Sequence, residues 1–486
     1  MQTQTMKFLK NLLPIFLVAL LFTACSGDND NRTVQEYASG FVNSNEKVVL
    51  YGSIDLKSIL TKADYASVPK FGGIIKGELK NIESGLNLDK GVYFAMEGPF
   101  EKGNMGSVYL FMEVKNADSL KQQLTQRGYD LDNADGIDYF RSGDVAFGLK
   151  GKLALMMVKS GKFDTKELIS GAIKQAGGDL LEGTAAMILA AKSDISINVH
   201  LYNNFKTNSG QLGTVSKENM KQLDEMMKGS FSQANVYFEN GQLRIAMKNH
   251  LSASLKKRMM MLTDDNASIR QSIGQGEPKL AVSTNLDMAK LQTWMDDYAP
   301  GAMDKLMEAI PQLQMAMMVA GGKLSNLMDG KIGFAMYGEP KAGAMVPDFS
   351  FYVGFGPQGK SLAEMAQNFL SGGTMKLAIS DKGVQGSSSD TYKSVAGNSI
   401  SVPRGCETFG KTAFSGYANL EGMDTKAFEF KGGAKMIELV KYLNFSFDTK
   451  GGEILVKLKE DKTNVLKQAA SFMLSEFESQ IGAMNP

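Results

Sequence analysis

The chain has 486 residues, 43% of them hydrophobic and 22% charged, with a formal net charge of +1. That is an ordinary balance for a globular protein with a sizeable core. Near-neutrality leaves no electrostatic footprint for nucleic acid or for an anionic lipid surface.

The first segment reads as a targeting signal. Lys7 and Lys10 give a basic start, and Leu12 to Leu21 supply an apolar stretch too short to span a bilayer. It ends on Phe22-Thr23-Ala24-Cys25, which resembles a bacterial lipobox, with Phe22 standing where the pattern usually has Leu. Residues 1–24 are thus expected to be a lipoprotein signal peptide, and Cys25 the lipidated first residue of the mature chain. Losing Lys7 and Lys10 takes the formal charge from +1 to −1. Acyl chains bury about 0.8 kcal/mol per methylene, so a multiply acylated cysteine anchors firmly without a protein span. No later segment offers eighteen apolar residues in a row; Met315 to Ala320, flanked by Gln and Gly, reads as core. Ser26-Gly27-Asp28-Asn29-Asp30 opens a polar stretch, and residues 25–45 are expected to be a flexible acidic tether. The acidic cluster resembles the export signal of surface-exposed lipoproteins of the Bacteroidetes. The expected location is therefore the outer membrane, lipid-anchored, facing the cell surface or the periplasm. With Cys25 as the anchor, Cys406 has no intramolecular disulfide partner.

Beyond the tether the chain repeats its own patterns. Val48 to Leu56 is a strand running into a helix start, and Leu280 to Met288 reads the same way, matching Asp55 with Asp287. Asp89 to Met96 pairs with Asp329 to Met336, which matches Phe94 with Phe334. Ser107 to Phe111 pairs with Ser350 to Val353, each leading to a helix. Late in each half comes a hairpin, one turning at Asn240-Gly241 and the other at Gly451-Gly452, sequences suited to positive φ. Helices are expected over 118–127, 165–176, 217–228, 303–310, 362–369 and 463–475. These signals predict an α+β fold of two related halves, 46–272 and 273–486, each with mostly antiparallel strands and packed helices, joined near Pro278. The lipobox, the polar tether, the strand ending Ile54-Asp55-Leu56 and the repeated layout resemble a Bacteroidetes lipoprotein family of unknown function (the DUF4836 type). That resemblance implies a compartment and a duplicated fold, and no catalytic residues.

Several stretches carry possible chemistry. Gly354-Phe355-Gly356-Pro357-Gln358-Gly359-Lys360-Ser361 satisfies the phosphate-loop pattern between a strand and a helix. Glycine is abundant, no Walker-B-type aspartate follows, and the matching stretch of the first half lacks the glycines, so a capped strand-to-helix turn is the favoured reading. His200, in a strand pattern, and His250, at an expected helix start, lack partners at metal-ligand spacing. Asp264-Asp265 and Asp296-Asp297 read as helix ends or solvated turns, and Lys256-Lys257-Arg258 as a solvated helix face. Cys406 is expected to be a buried structural thiol. Trp294 is expected in the core. Of the 31 methionines, clusters such as Met259-Met260-Met261 and Met315, Met317, Met318 could line an adaptable groove for a peptide or lipid, with core filling favoured. No cofactor or metal is expected. The leading expectation is a membrane-anchored lipoprotein that binds or scaffolds without catalysis, with the bilayer as its partner and a protein, peptide or polymer ligand unspecified. The alternative is an envelope hydrolase whose site is not recognisable from sequence.

Overall fold

The computed structural model describes residues 32–67, 72–99, 106–189, 192–208, 216–259, 261–263, 266, 268–299, 301–309, 311–338, 347–370, 375–394, 398–422 and 437–473. The fold is α+β, with strands paired antiparallel throughout both of its compact units. Of the described residues, the first unit takes 32–208, 231–238 and 464–473, and the second takes 216–230 and 239–463. The expected cut at 272/273 falls inside the second unit.

Residues 34–44, expected in a flexible tether, are a helix. Thr33 and Glu36 form a reciprocal capping box, each side chain accepting from the other's amide. Val34, Tyr37, Ala38, Phe41 and Val42 recur at helical spacing and are buried in the first unit's core. The polar outer face dominated the composition of that stretch and hid its apolar stripe.

The first unit contains β1 (Val48–Ile54), β2 (Val92–Glu97), β3 (Val108–Glu113), β4 (Asp132–Ala134), β5 (Ile137–Ser142), β6 (Val145–Lys150), β7 (Leu153–Val158), β8 (Ile195–His200) and β9 from Phe231. They pair in the order β9-β8-β1-β2-β3-β7-β6-β5-β4. Alternation sends Val92, Met112, Ala154 and Met156 to one face, packed with Leu79, Ile82, Leu120 and Leu124 from helices. Tyr51, Ala95, Tyr109, Phe111 and Leu155 go to the other, packed with Phe41, Ile169 and Ile173.

The second unit contains β10 (Gln242–His250), β11 (Leu280–Asn285), β12 (Met328–Tyr337), β13 (Asp348–Phe355), β14 (Lys376–Ile379), β15 (Gly383–Ser387), β16 (Phe414–Asn419), β17 (Val440–Phe447) and β18 (Gly451–Leu458). Their order is β10-β18-β17-β16-β11-β12-β13-β15-β14. The run β17-β16-β11-β12-β13 thus has the same succession as β9-β8-β1-β2-β3 in the first unit. Asp55 and Asp287 each cap the following helix, accepting from the amides of Ser58 at 2.8 Å and Lys290 at 3.0 Å. The ladders, however, place them differently. Phe94 lies opposite Gly52, three residues before Asp55, whereas Phe334 lies opposite Val282, five residues before Asp287. Matching the phenylalanines sets Asp55 beside Asn285, and the cap moves two residues along. The second hairpin also turns earlier than expected. Asp448 Oδ1 accepts from the Lys450 amide at 2.7 Å, and Gly451 and Gly452 already belong to β18.

One face of the second sheet is buried: Tyr337, Tyr352, Tyr417 and Tyr442 pack with Ile269, Ile273, Cys406 and Phe409. Four of its buried hydroxyls bond in pairs, Ser283 with Ser415 at 3.1 Å and Tyr337 with Ser350 at 3.0 Å. The other face is described next.

Candidate functional site

On the second sheet's other face, register lines up a row across eight strands. Ile245 stands opposite Ile454, then Phe445, Gly416, Val282, Phe334, Phe351 and Gly386 in turn. The row on one side runs Leu243, Val456, Leu443, Ala418, Leu280, Met336, Phe349. The row on the other runs Met247, Gly452, Phe447, Phe414, Thr284, Ile332, Val353, Val384. None of these positions is ionisable, and Thr284 contributes the one side-chain polar group. The glycines make room for rings. A β-carbon at Gly416 would lie 2.5 Å from the Phe445 ring, and Gly386 sits under Phe351 in the same way. Phe334 stacks on Phe349 at 6.1 Å, and Phe414 touches the rings of Phe445 and Phe447 at 5.0 and 6.0 Å. Yet this face is not sealed. Phe334 is 38% exposed, and Ile245, Ile454, Phe445, Val282 and Phe351 are partly exposed. An uncharged, aromatic, accessible sheet face is the feature of this fold that packing alone does not explain.

At the Ile332 end of that face stands a helical hairpin, Ala302–Ala309 followed by Pro311–Val319. Met317 and Ala320 are buried against Met288, Leu324 and Leu327, in a cluster that includes Ile332, two residues before Phe334. Core filling therefore holds for Met317 but not for its neighbours: Met318 is 71% exposed, Met315 57%, Val319 48% and Leu306 41%. The signal was available in the spacing. At 100° per residue, Met315, Met317 and Met318 span more than one apolar stripe, so one core cannot take all three.

The first unit holds a polar cleft of about 610 Å³ whose lining includes Ser53, Asp55, Ser58, Lys62, Asp89, Tyr93, Lys192, Asp194 and Tyr237. Its centre is Asp194, 3% exposed, which nothing in the sequence singled out. Lys62 Nζ donates to both of its oxygens at 2.6 and 2.7 Å, the Ser58 hydroxyl donates at 2.7 Å and the Phe238 amide at 2.6 Å. Three donor groups thus place four hydrogen bonds on the carboxylate. It ties the helix Leu56–Ala63 to β8 and β9.

The other sequence candidates resolve individually. Cys25 and Asp264-Asp265 lie outside the described residues, as does Met260. Burial pushes the Cys406 thiol up to about 12, with Glu407 adding to the shift, so it stays protonated and unreactive. Lys360 donates to Asp381 at 2.5 Å, and the amides of Gly356, Gln358 and Gly359 are spent on the carbonyls of Leu327, Asn326 and Gly356. A β-carbon at Gly356 or Gly359 would strike the backbone of Ser325 or Leu327. These glycines serve close packing, and three of the loop's amides are already spent within the fold. His200 ends β8 and accepts from the Asn203 amide at 3.3 Å; His250 ends β10, where a helix start was expected. Among the described residues no three His, Cys, Asp or Glu converge as metal ligands. Arg258 is not simply solvated: Asp297 accepts from it at 2.8 Å and Gln222 at 3.0 Å. Beside it, Lys257, Lys290, Glu225 and Asp287 line an open pocket of about 680 Å³ with mixed charge. Trp294 is half-buried beside Tyr298, at 6.5 Å between ring centroids.

No family model matches the chain, and no curated protein matches it. Among solved structures, crystal forms III, IV and I of TP0453 are similar at TM-scores of 0.28, 0.27 and 0.27 and identities of 12%, 13% and 13%. They cover 44%, 43% and 44% of this chain and 80%, 79% and 79% of theirs. A likeness this slight assigns neither a family nor a ligand. Among the described residues no helix is long and apolar enough to cross a membrane.

Proposed function

We propose that the chain is a lipid-anchored, non-enzymatic binding protein of the bacterial envelope. It is held at the outer membrane through acylated Cys25, and it offers the uncharged face of its second sheet to an apolar ligand. The observation that carries this reading is the row from Ile245 to Phe351, in which every side chain is apolar and partly exposed. Completing the burial of such side chains is worth about 1 kcal/mol each, which gives an apolar ligand a reason to dwell there. The resemblance to Bacteroidetes lipoproteins of unknown function fits the same compartment and asks for no catalytic residues.

Nile red fluorescence tests the binding face. The native protein is expected to enhance the dye's emission, and Phe334→Glu to weaken binding about tenfold, because a buried unpaired carboxylate opposes any apolar contact. Phe334 is exposed enough that the variant should melt close to the native temperature. If the native protein leaves the dye dark, or if Phe334→Glu binds as well as native, the proposal fails.

A further inference from the structure

We infer that the exposed stripe of the hairpin's second helix, formed by Met315, Met318 and Val319, inserts into the hydrocarbon edge of a phospholipid bilayer. Residues 311–322 contain no ionisable side chain, and three of the most exposed large apolar side chains of the described chain, those of Met315, Met318 and Val319, sit within this run. A helix that is apolar on more than one side belongs in a core or in an apolar solvent, and only Met317 and Ala320 find the core. The unbranched thioethers adapt to a disordered hydrocarbon as readily as to a packed interior.

Charge chooses the bilayer chemistry. The ionisable groups nearest this run in sequence are Asp304, Lys305, Glu308 and Lys323, all exposed, and they sum to zero. Nothing here attracts anionic headgroups, so the insertion rests on apolar burial and is indifferent to lipid charge. Tether length supplies the opportunity, and this step rests on the proposal that Cys25 is acylated. Six residues separate Cys25 from Arg32, where the described chain begins. Fully extended they reach about 20 Å, so the folded chain starts close to the membrane surface. An acylated chain stays confined to the membrane surface, so even weak insertion elsewhere in it is intramolecular and effectively concentrated.

The test uses the full mature chain carrying Cys25→Ala, so that the anchor does not mask the hairpin, with Met318→Trp as a probe and the same chain lacking that probe as background for Trp294. Vesicles are phosphatidylethanolamine and phosphatidylcholine with brominated acyl chains. The expected result is quenching of the position-318 emission and sedimentation with vesicles, both unchanged by high salt or by added phosphatidylglycerol. Met315→Asp with Met318→Asp should lower vesicle partition at least about tenfold. Absence of both quenching and sedimentation overturns the inference. So does self-association that the double Asp variant abolishes while vesicles leave the probe unquenched, since the stripe would then contact a second copy. Fractionating cells that express native or Cys25→Ala protein tests the anchor separately. A native protein found wholly in the soluble fraction sinks the anchor proposal, while the vesicle result still judges the hairpin.

Discussion

Asp194 shows how much one buried charge can organise. Its carbonyl accepts from the Asp55 amide at 2.9 Å, its amide donates to Val236 at 3.1 Å, and its carboxylate gathers Lys62, Ser58 and the Phe238 amide. Asp194→Ala strands that amide and the hydroxyl without acceptors. The side chain of Lys62, about a third exposed, can turn to water and limits the damage. The expected loss is about 3 kcal/mol in urea-induced unfolding, and a loss below about 1 kcal/mol would contradict the lock. His200 makes a different kind of prediction. Burial lowers its pKa below the ordinary 6.5, so the unfolded chain takes up the proton first as pH falls. The stability tied to neutral His200 is complete above that value and drains away in the window below it, as pH falls through the lowered pKa. His200→Gln, which keeps an acceptor for the Asn203 amide, should flatten the decline of melting temperature over that window. An unchanged slope would show that other groups govern it.

At the scale of strands and helices, the glycines of the uncharged face are packing devices. Gly416→Ala would press a methyl group against both the Phe445 ring and the Ala281 carbonyl, 2.5 and 2.9 Å away. It is expected to destabilise by about 1–3 kcal/mol and to lower Nile red binding by displacing the ring; tolerance without either change would mean that the ring moves freely. Local signals made many elements legible. The helix Thr165–Ala176 began where expected because Asp164 caps its first turn, accepting from the Glu167 amide at 2.8 Å. The helix Val34–Ser44 was missed because its capping box was outweighed by the polar residues around it. The second hairpin was misplaced because Gly451-Gly452 fits a tight turn, while Asp448 captures the turn three residues earlier. The apolar face could not be read from sequence. Its row joins residues from Ile245 to Ile454 through a register that no local pattern encodes. Asp194 was invisible for the same reason, since its partners come from two distant stretches, Ser58 and Lys62 on one helix and Phe238 on β9.

At the scale of the whole molecule, the two units share one strand succession, β9-β8-β1-β2-β3 in the first and β17-β16-β11-β12-β13 in the second. The units nevertheless draw on the chain discontinuously. The described residues from Asn464 onward belong to the first unit, and Asn464 donates to the Phe238 carbonyl at 2.9 Å. A truncation at 272/273 would therefore yield no intact unit. It would remove the partner of β10 and the residues that complete the first unit, which argues for testing binding on the full mature chain.

The pairing of β10 with β18 also sets a timetable. Leu243 stands opposite Val456, a separation of 456 − 243 = 213 residues. A chain that emerges N-terminus first presents Leu243, Ile245 and Met247 long before Val456, Ile454 and Gly452 arrive to flank them. Until then β10 lacks that neighbour and keeps one side of its backbone unpaired, the condition in which strands associate with the wrong chain. Closing so distant a contact makes folding slow compared with local helix formation. The last strand to emerge thus completes the second sheet, and premature release of the chain is the hazard built into its topology.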